Sequence, residues 1–119
     1  MPAAAISILM PCYRLADSIA SNVDRVVAAM SGEPGVEVVV ADDGSGDGTR
    51  EQAEAAAARH GSVQVVANPE NAGKARALQQ AFAASTGEIV VFLDGDLDLP
   101  PEQIPKMVAE LRRGGWDAL

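Results

Sequence analysis

Cysteine and aromatic residues are nearly missing from this chain of 119 residues, which has one cysteine, one tryptophan, one tyrosine and two phenylalanines. A lone thiol, Cys12, excludes an internal disulfide framework and suits a reducing compartment. Positive charge is scarce as well. Lysine and arginine total 9 against 17 acids, a formal net charge of -8, which argues against the broad electrostatic grip that nucleic acid requires. No apolar run approaches the ~20 residues of a membrane span. The start, MPAAAISILMPC, also lacks the basic stretch of a secretory signal. The expected location is therefore cytoplasmic. Against these absences stands a hydrophobic content of 48%, enough for one domain with a real core.

Four short runs rich in branched residues, Ile6–Met10, Val36–Ala41, Val63–Ala67 and Ile89–Leu93, predict strands. Helical patterns separate and follow them. Ile19, Val23, Val26, Val27 and Met30 share a face; the alanine-rich EQAEAAAARH comes next, then Leu78 and Phe82, then Ile104, Met107, Val108 and Leu111. A β-α order repeated four times calls for parallel strands joined by right-handed crossovers. The expected fold is therefore α/β, a sheet of about four strands with helices on both faces. After RRGG, the end WDAL resembles the opening of a fifth strand, as if the chain continued.

Open parallel sheets bind ligands beyond the carboxyl ends of their strands. The polar clusters fall there: Pro11-Cys12-Tyr13 after the first strand, Asp42-Asp43-Gly44-Ser45 after the second, and Asp94-Gly95-Asp96-Leu97-Asp98 after the fourth. If strand conformation persists, Asp94 and Asp96 leave one face roughly 6–7 Å apart, a spacing that can close on a hard cation such as Mg2+ or Mn2+. The plainer reading, solvated loop acids, would win if the triplet stood alone; its place after a buried strand favours the metal. Asp98, just before Pro100 and Pro101, fits a helix cap at least as well as a ligand. Pro105 belongs in a first helical turn. Asp47 or Ser45 would cap a helix starting near Thr49, and the carboxylates of Asp42 and Asp43 suit a base N–H or a ribose hydroxyl. Lys74, after Asn71-Ala72-Gly73, either meets phosphate at a helix N-terminus or simply solubilises the surface. His60 reads as a surface residue at a helix end, and Cys12 as a small buried one.

Taken together, ISILMPCY, VVVADDGSGDGT, NPENAGKARALQQAF and GEIVVFLDGDLDLPPEQIP resemble, in order and spacing, the inverting family 2 glycosyltransferases of the GT-A fold. The last stretch is most similar to the family's polyprenyl-phosphate sugar transferases. The resemblance implies a Rossmann-like nucleotide-binding half spanning residues 1–119, with Pro11 and Tyr13 lining a base pocket. It further implies that Asp43, with Ala41 and Asp42 beside it, contacts base or ribose. Asp94 and Asp96 would hold the divalent cation and the sugar diphosphate, and Gly95 would offer its backbone. The implied partners are a UDP- or GDP-linked sugar and a polyprenyl-phosphate or glycan acceptor. The implied general base lies beyond Leu119, and membrane association would come only through that later part, at the cytoplasmic face. One departure stands out. Where the family commonly reads Pro-x-Tyr-Asn-Glu, Arg14 and Leu15 follow Tyr13, so any contact made by that glutamate is lost unless Asp17 replaces it.

Three other readings compete. A haloacid-dehalogenase-like phosphatase would use the first aspartate of DGD as nucleophile, but it needs the motif early in the chain and further catalytic groups after it. A calcium loop fails because its sixth position, counted from Asp94, is Leu99 rather than glycine, and its twelfth is Pro105 rather than glutamate. A non-catalytic nucleotide-binding or interaction module stays open.

Overall fold

A computed structural model describes residues 4–115, 117 and 118. The predicted alternation is present: β1 (Ile6–Cys12), α1 (Ile19–Ala29), β2 (Val36–Asp42), α2 (Thr49–Arg59), β3 (Val63–Ala67), α3 (Lys74–Ala84), β4 (Ile89–Phe92), a 3-10 turn (Pro101–Gln103) and α4 (Ile104–Arg112). The four strands pair in parallel in the order β3-β2-β1-β4. Of the expected fifth strand, Trp116 and Leu119 lie outside the described residues, while Asp117 and Ala118 are not in a strand.

Chain order reverses between β1 and β4, and this fixes which helix lies where. Ile6, Ile8, Met10 and Cys12 of β1 face a core shared with α1, α2 and α4, whereas Leu9 joins Val39 and Ala41 against α3. Every residue of β1 is buried, as expected of a central strand covered on both sides. The fully buried Ile19, Val23 and Val26 of α1 each contribute roughly 1.5–3 kcal/mol by leaving water.

Two inward-facing expectations are corrected. In α3 the buried residues are Ala77 and Ala81, while Phe82 is 58% exposed; in α4 Ile104 and Val108 are buried and Met107 is 39% exposed. Small side chains let α3 approach β1 and β2 closely, so the alanine stripe, not the bulkiest residue, selects the packed face.

Pro11 sets where β4 stops. In a parallel ladder a residue gives its N–H and its carbonyl to the same neighbour. Leu93 N–H donates to the Leu9 carbonyl and Gly95 N–H to the Pro11 carbonyl, so the N–H between them would be Pro11's own. Proline has none. The registered β1–β4 pairing accordingly ends at Leu9 and Phe92, and the chain is free to turn.

At the end of β2 the chain bends at Gly44, whose φ of +67° lies in the left-handed region; an added Cβ there would sit 2.3 Å from the Glu70 carbonyl carbon. Backbone cannot yield as a side-chain tip does. Gly44→Ala is expected to cost about 3 kcal/mol, from left-handed strain plus the clash. Urea denaturation would show this as a lower midpoint with an unchanged slope, and a loss under ~1 kcal/mol would mean that the loop shifts freely.

Candidate functional site

Beyond the carboxyl ends of β1 and β4 lies a hollow of about 380 Å³, lined in part by Pro11, Tyr13, Asp43, Lys74, Asp94, Gly95 and Asp96. Seven of the residues predicted from the sequence thus meet at one place. Ala41 and Asp42 do not line it: Ala41 packs under α3, and Asp42 is buried with its carboxylate accepting from Ser45 Oγ. Asp17 is exposed and outside it. Cys12, Leu15, Asn71 and Gly73 also line the wall, and sequence reasoning had given them no part in a site.

Asp43 is occupied by its own protein. Its Oδ1 accepts from Ala72 N–H at 2.8 Å and Asn68 Nδ2 at 3.3 Å, and its Oδ2 from Gly73 N–H at 2.9 Å and Asn71 Nδ2 at 3.0 Å. Four donors on one buried carboxylate make it the anchor of residues 68–73 and hence of the start of α3. Asn71-Ala72-Gly73 was legible as a turn before a helix, but nothing in the sequence tied it to an acid 28 positions earlier.

The neighbouring β1 loop is fixed by the same β2 loop. Arg14 N–H donates to Ser45 Oγ at 2.7 Å and Leu15 N–H to Thr49 Oγ1 at 2.9 Å. Ser45 therefore serves this loop rather than capping α2. Asp47 accepts from the Thr49 N–H at 3.0 Å, which satisfies the start of α2 from one residue before its Gly48 cap. Arg14 has φ +55° and lies 5.2 Å over the Tyr13 ring, giving the rim a cation-π pair.

Asp94 and Asp96 do not converge by strand alternation, because β4 has ended. They converge through a turn in which Leu97 N–H donates to the Asp94 carbonyl at 3.0 Å, with Leu97 at φ +56°. The turn brings in Asp98 too. One carboxylate oxygen from each of Asp94, Asp96 and Asp98 lies within 4.8 Å of the others. Asp98 makes no cap: the 3-10 turn begins after Pro100 without a side-chain bond, and Pro105 lies in the first turn of α4. Oxygen donors on exposed, rotatable side chains suit a hard divalent cation that keeps water or phosphate among its ligands. Asn22 of α1 donates to the Gly95 carbonyl at 2.8 Å, and Arg25 forks onto Glu102 at 2.9 and 2.6 Å, so α1 holds the acidic turn from both sides. Gly95 must be glycine, since a Cβ would sit 2.8 Å from that of Cys12.

Lys74 Nζ lies 2.6 Å from Asp94 Oδ1, and this bond to Asp94 holds the ammonium's pKa above its ordinary value. His60 is not a free surface group; it is half-buried, 2.7 Å from Asp24, which Arg59 also contacts. Burial, and then the charges of Asp42, Asp47 and Asp43, push the Cys12 thiol up to about 12.

An open parallel sheet with a cavity at its switch point defines an α/β protein of the kind that binds ligands beyond the carboxyl ends of its strands. Comparison with known proteins narrows this. Residues 7–119 match the family described as "Glycosyl transferase family 2", and the chain belongs to that family. A dodecaprenyl-phosphate galacturonate synthase of Rhizobium johnstonii is 34% identical over 116 residues, covering 96% of this chain and 34% of the relative. An undecaprenyl-phosphate 4-deoxy-4-formamido-L-arabinose transferase of Aeromonas hydrophila is 38% identical over 117 residues, covering 96% and 35%. The chain thus spans about a third of these relatives' length. Among solved structures, a mannosyltransferase from Pyrobaculum calidifontis in complex with GDP-Man and Mn2+ superposes with a TM-score of 0.78 at 31% identity, covering 91% of this chain and 32% of that one. A glucosyl-3-phosphoglycerate synthase from Mycobacterium tuberculosis, with Mn2+ and UDP, gives 0.73 at 31% identity, covering 94% and 41%. The fold is the GT-A α/β fold.

Two predictions follow from the buried groups. Asp43→Asn puts an amide N–H₂ toward N–H donors, and should cost about 2–3 kcal/mol while speeding hydrogen exchange at Ala72 and Gly73; unchanged exchange there would refute the anchoring role. Cys12, protonated in the fold well above the ordinary thiol range, should resist alkylation at pH 8 until urea unfolds the chain. Since its folded pKa is the raised one, its contribution to stability is complete below pH 9 and lost as pH rises towards about 12. Rapid labelling of the folded chain at pH 8 would contradict this.

Proposed function

We propose that residues 1–119 are the donor- and metal-binding unit of a glycosyltransferase that moves a sugar from a UDP- or GDP-linked donor to a polyprenyl-phosphate acceptor. The observation that carries it is the meeting, in a family 2 chain, of Asp94 and Asp96 with Pro11, Tyr13 and Asp43 around one cavity. The named substrates of the curated relatives favour a lipid phosphate over a glycan, and the structural neighbours support both a nucleotide donor and Mn2+.

Each of the chain's residues has a task in this reading. Pro11 and Tyr13 form the wall for the base, with the Arg14 guanidinium stacked on the tyrosine. Asp43 works through the loop it anchors, keeping Asn71 and Gly73 on the cavity wall. Ala41 and Asp42 support that loop from below. The Gly95 backbone leaves room for the diphosphate, and Asp94 and Asp96, joined by Asp98, hold Mg2+ or Mn2+. A bound ion of this kind supplies Lewis-acid neutralisation of the charge that grows on the departing diphosphate. Where the acceptor is a hydroxyl a general base is required; a phosphate acceptor needs none. No helix among the described residues is long and apolar enough to cross a membrane. We place the reaction at the cytoplasmic face of one, with the lone Cys12 in keeping with a reducing compartment.

Calorimetric titration with GDP and UDP, with and without Mn2+, tests the reading. One nucleotide is expected to bind at least tenfold more tightly with the ion present, and Asp96→Asn to abolish that gain. Metal-dependent binding that survives Asp96→Asn would remove the assignment.

A further inference from the structure

Among the described residues, Lys74 is the only lysine or arginine that pairs with any of the three clustered acids. Its ammonium sits on Asp94 Oδ1, on one of the carboxylates that the cation proposed above would use, and both side chains reach solvent, at 61% and 39% exposure. A single and a double positive charge on one carboxylate would lie only a few ångströms apart and repel strongly. The two cations therefore compete for that carboxylate.

Lys74 has a second place to go. It is the first residue of α3 and lines the same cavity as Asp94 and Gly95. The start of a helix favours an anion, yet the two amides just before it, those of Ala72 and Gly73, are already given to Asp43. An anion entering here relies on the lysine ammonium for much of its compensation.

We infer that Lys74 is a place-holding cation that covers Asp94 in the empty chain and transfers to the donor diphosphate when the divalent ion takes its position. The inference rests on the metal and diphosphate reading above. Lys74 then opposes the ion on its own and helps the ion and nucleotide together. By linkage it makes the two ligands depend on each other more than contacts between them require.

The sign reversal is the test. Lys74 is exposed and outside both cores, so Lys74→Gln leaves the fold intact. In calorimetry with Mn2+ alone, Lys74→Gln is expected to tighten binding about two- to fivefold, the range of an exposed ion pair released. With Mn2+ saturating, the same variant is expected to weaken GDP or UDP binding about tenfold, for the loss of a charged hydrogen bond. Mn2+ affinity that is unchanged or reduced without nucleotide would overturn the inference, and so would nucleotide affinity that does not fall. A different result, wild-type Mn2+ binding that Asp96→Asn leaves untouched, would remove the metal reading itself and this inference with it.

Discussion

Because Pro11 has no N–H to give, the β1–β4 ladder loses its next bond just where the sheet changes direction. Had that residue been able to donate, Leu93 and its successors could continue as strand, and alternation would leave Asp94 and Asp96 spaced along one face of the sheet, with Asp98 further on. Instead the chain keeps one contact, Gly95 N–H to the Pro11 carbonyl, and folds over it into a turn that gathers three carboxylates. The close fit of Gly95 against Cys12 and Pro11 then leaves the turn little freedom to drift. The residue implied to line the base pocket also shapes the carboxylate cluster.

The two acidic stretches at the rim have opposite electrostatic fates. Asp43 is buried and saturated, with four donors that keep its charge tolerable away from water. The 94–98 cluster has fewer donors, Lys74 as its one paired cation among the described residues and the Asp98 N–H on Asp96 Oδ1. An acid with all its lone pairs used is a structural part, whereas acids with oxygens to spare retain the capacity to bind something else. Burial and hydrogen bonding, not motif membership, separate these roles.

That separation explains what could be read from the sequence. The β-α order, the four strands and the two acid-bearing strand ends follow from local periodicity and turn chemistry, and Asp94, Gly95 and Asp96 follow from their place after an apolar run, although β4 proves to be a partly buried edge strand. Bonds between distant residues could not be read: Asn22 to Gly95 spans 73 positions and Arg25 to Glu102 spans 77, and an asparagine or arginine on a helix carries no sign of its partner. Of the two roles open to Asp98, the cap is absent for a related reason. Proline pairs after an acid ordinarily signal a cap, but here they follow a turn that holds the acid back toward Asp94. Phe82 follows Leu78 at helical spacing, yet it lies exposed because close approach of α3 to the sheet requires alanine.

On the proposed reading, the same geometry divides donor recognition into two nearly independent ends. Tyr13, Arg14 and Leu15 hang from β1 and are fixed by Ser45 of the β2 loop and Thr49 at the start of α2, while the acids hang from β4 and are fixed by α1. Substituting arginine and leucine for the family's asparagine and glutamate therefore alters the base end, where a carboxylate acceptor is replaced by an apolar wall and a stacked cation. The ion and diphosphate end keeps its full set of oxygens. Exposed aspartates complete few of an ion's positions by themselves, so the diphosphate must supply others, and ion and donor are held better together than apart. A change of donor base at the first end then leaves the leaving-group chemistry at the second intact.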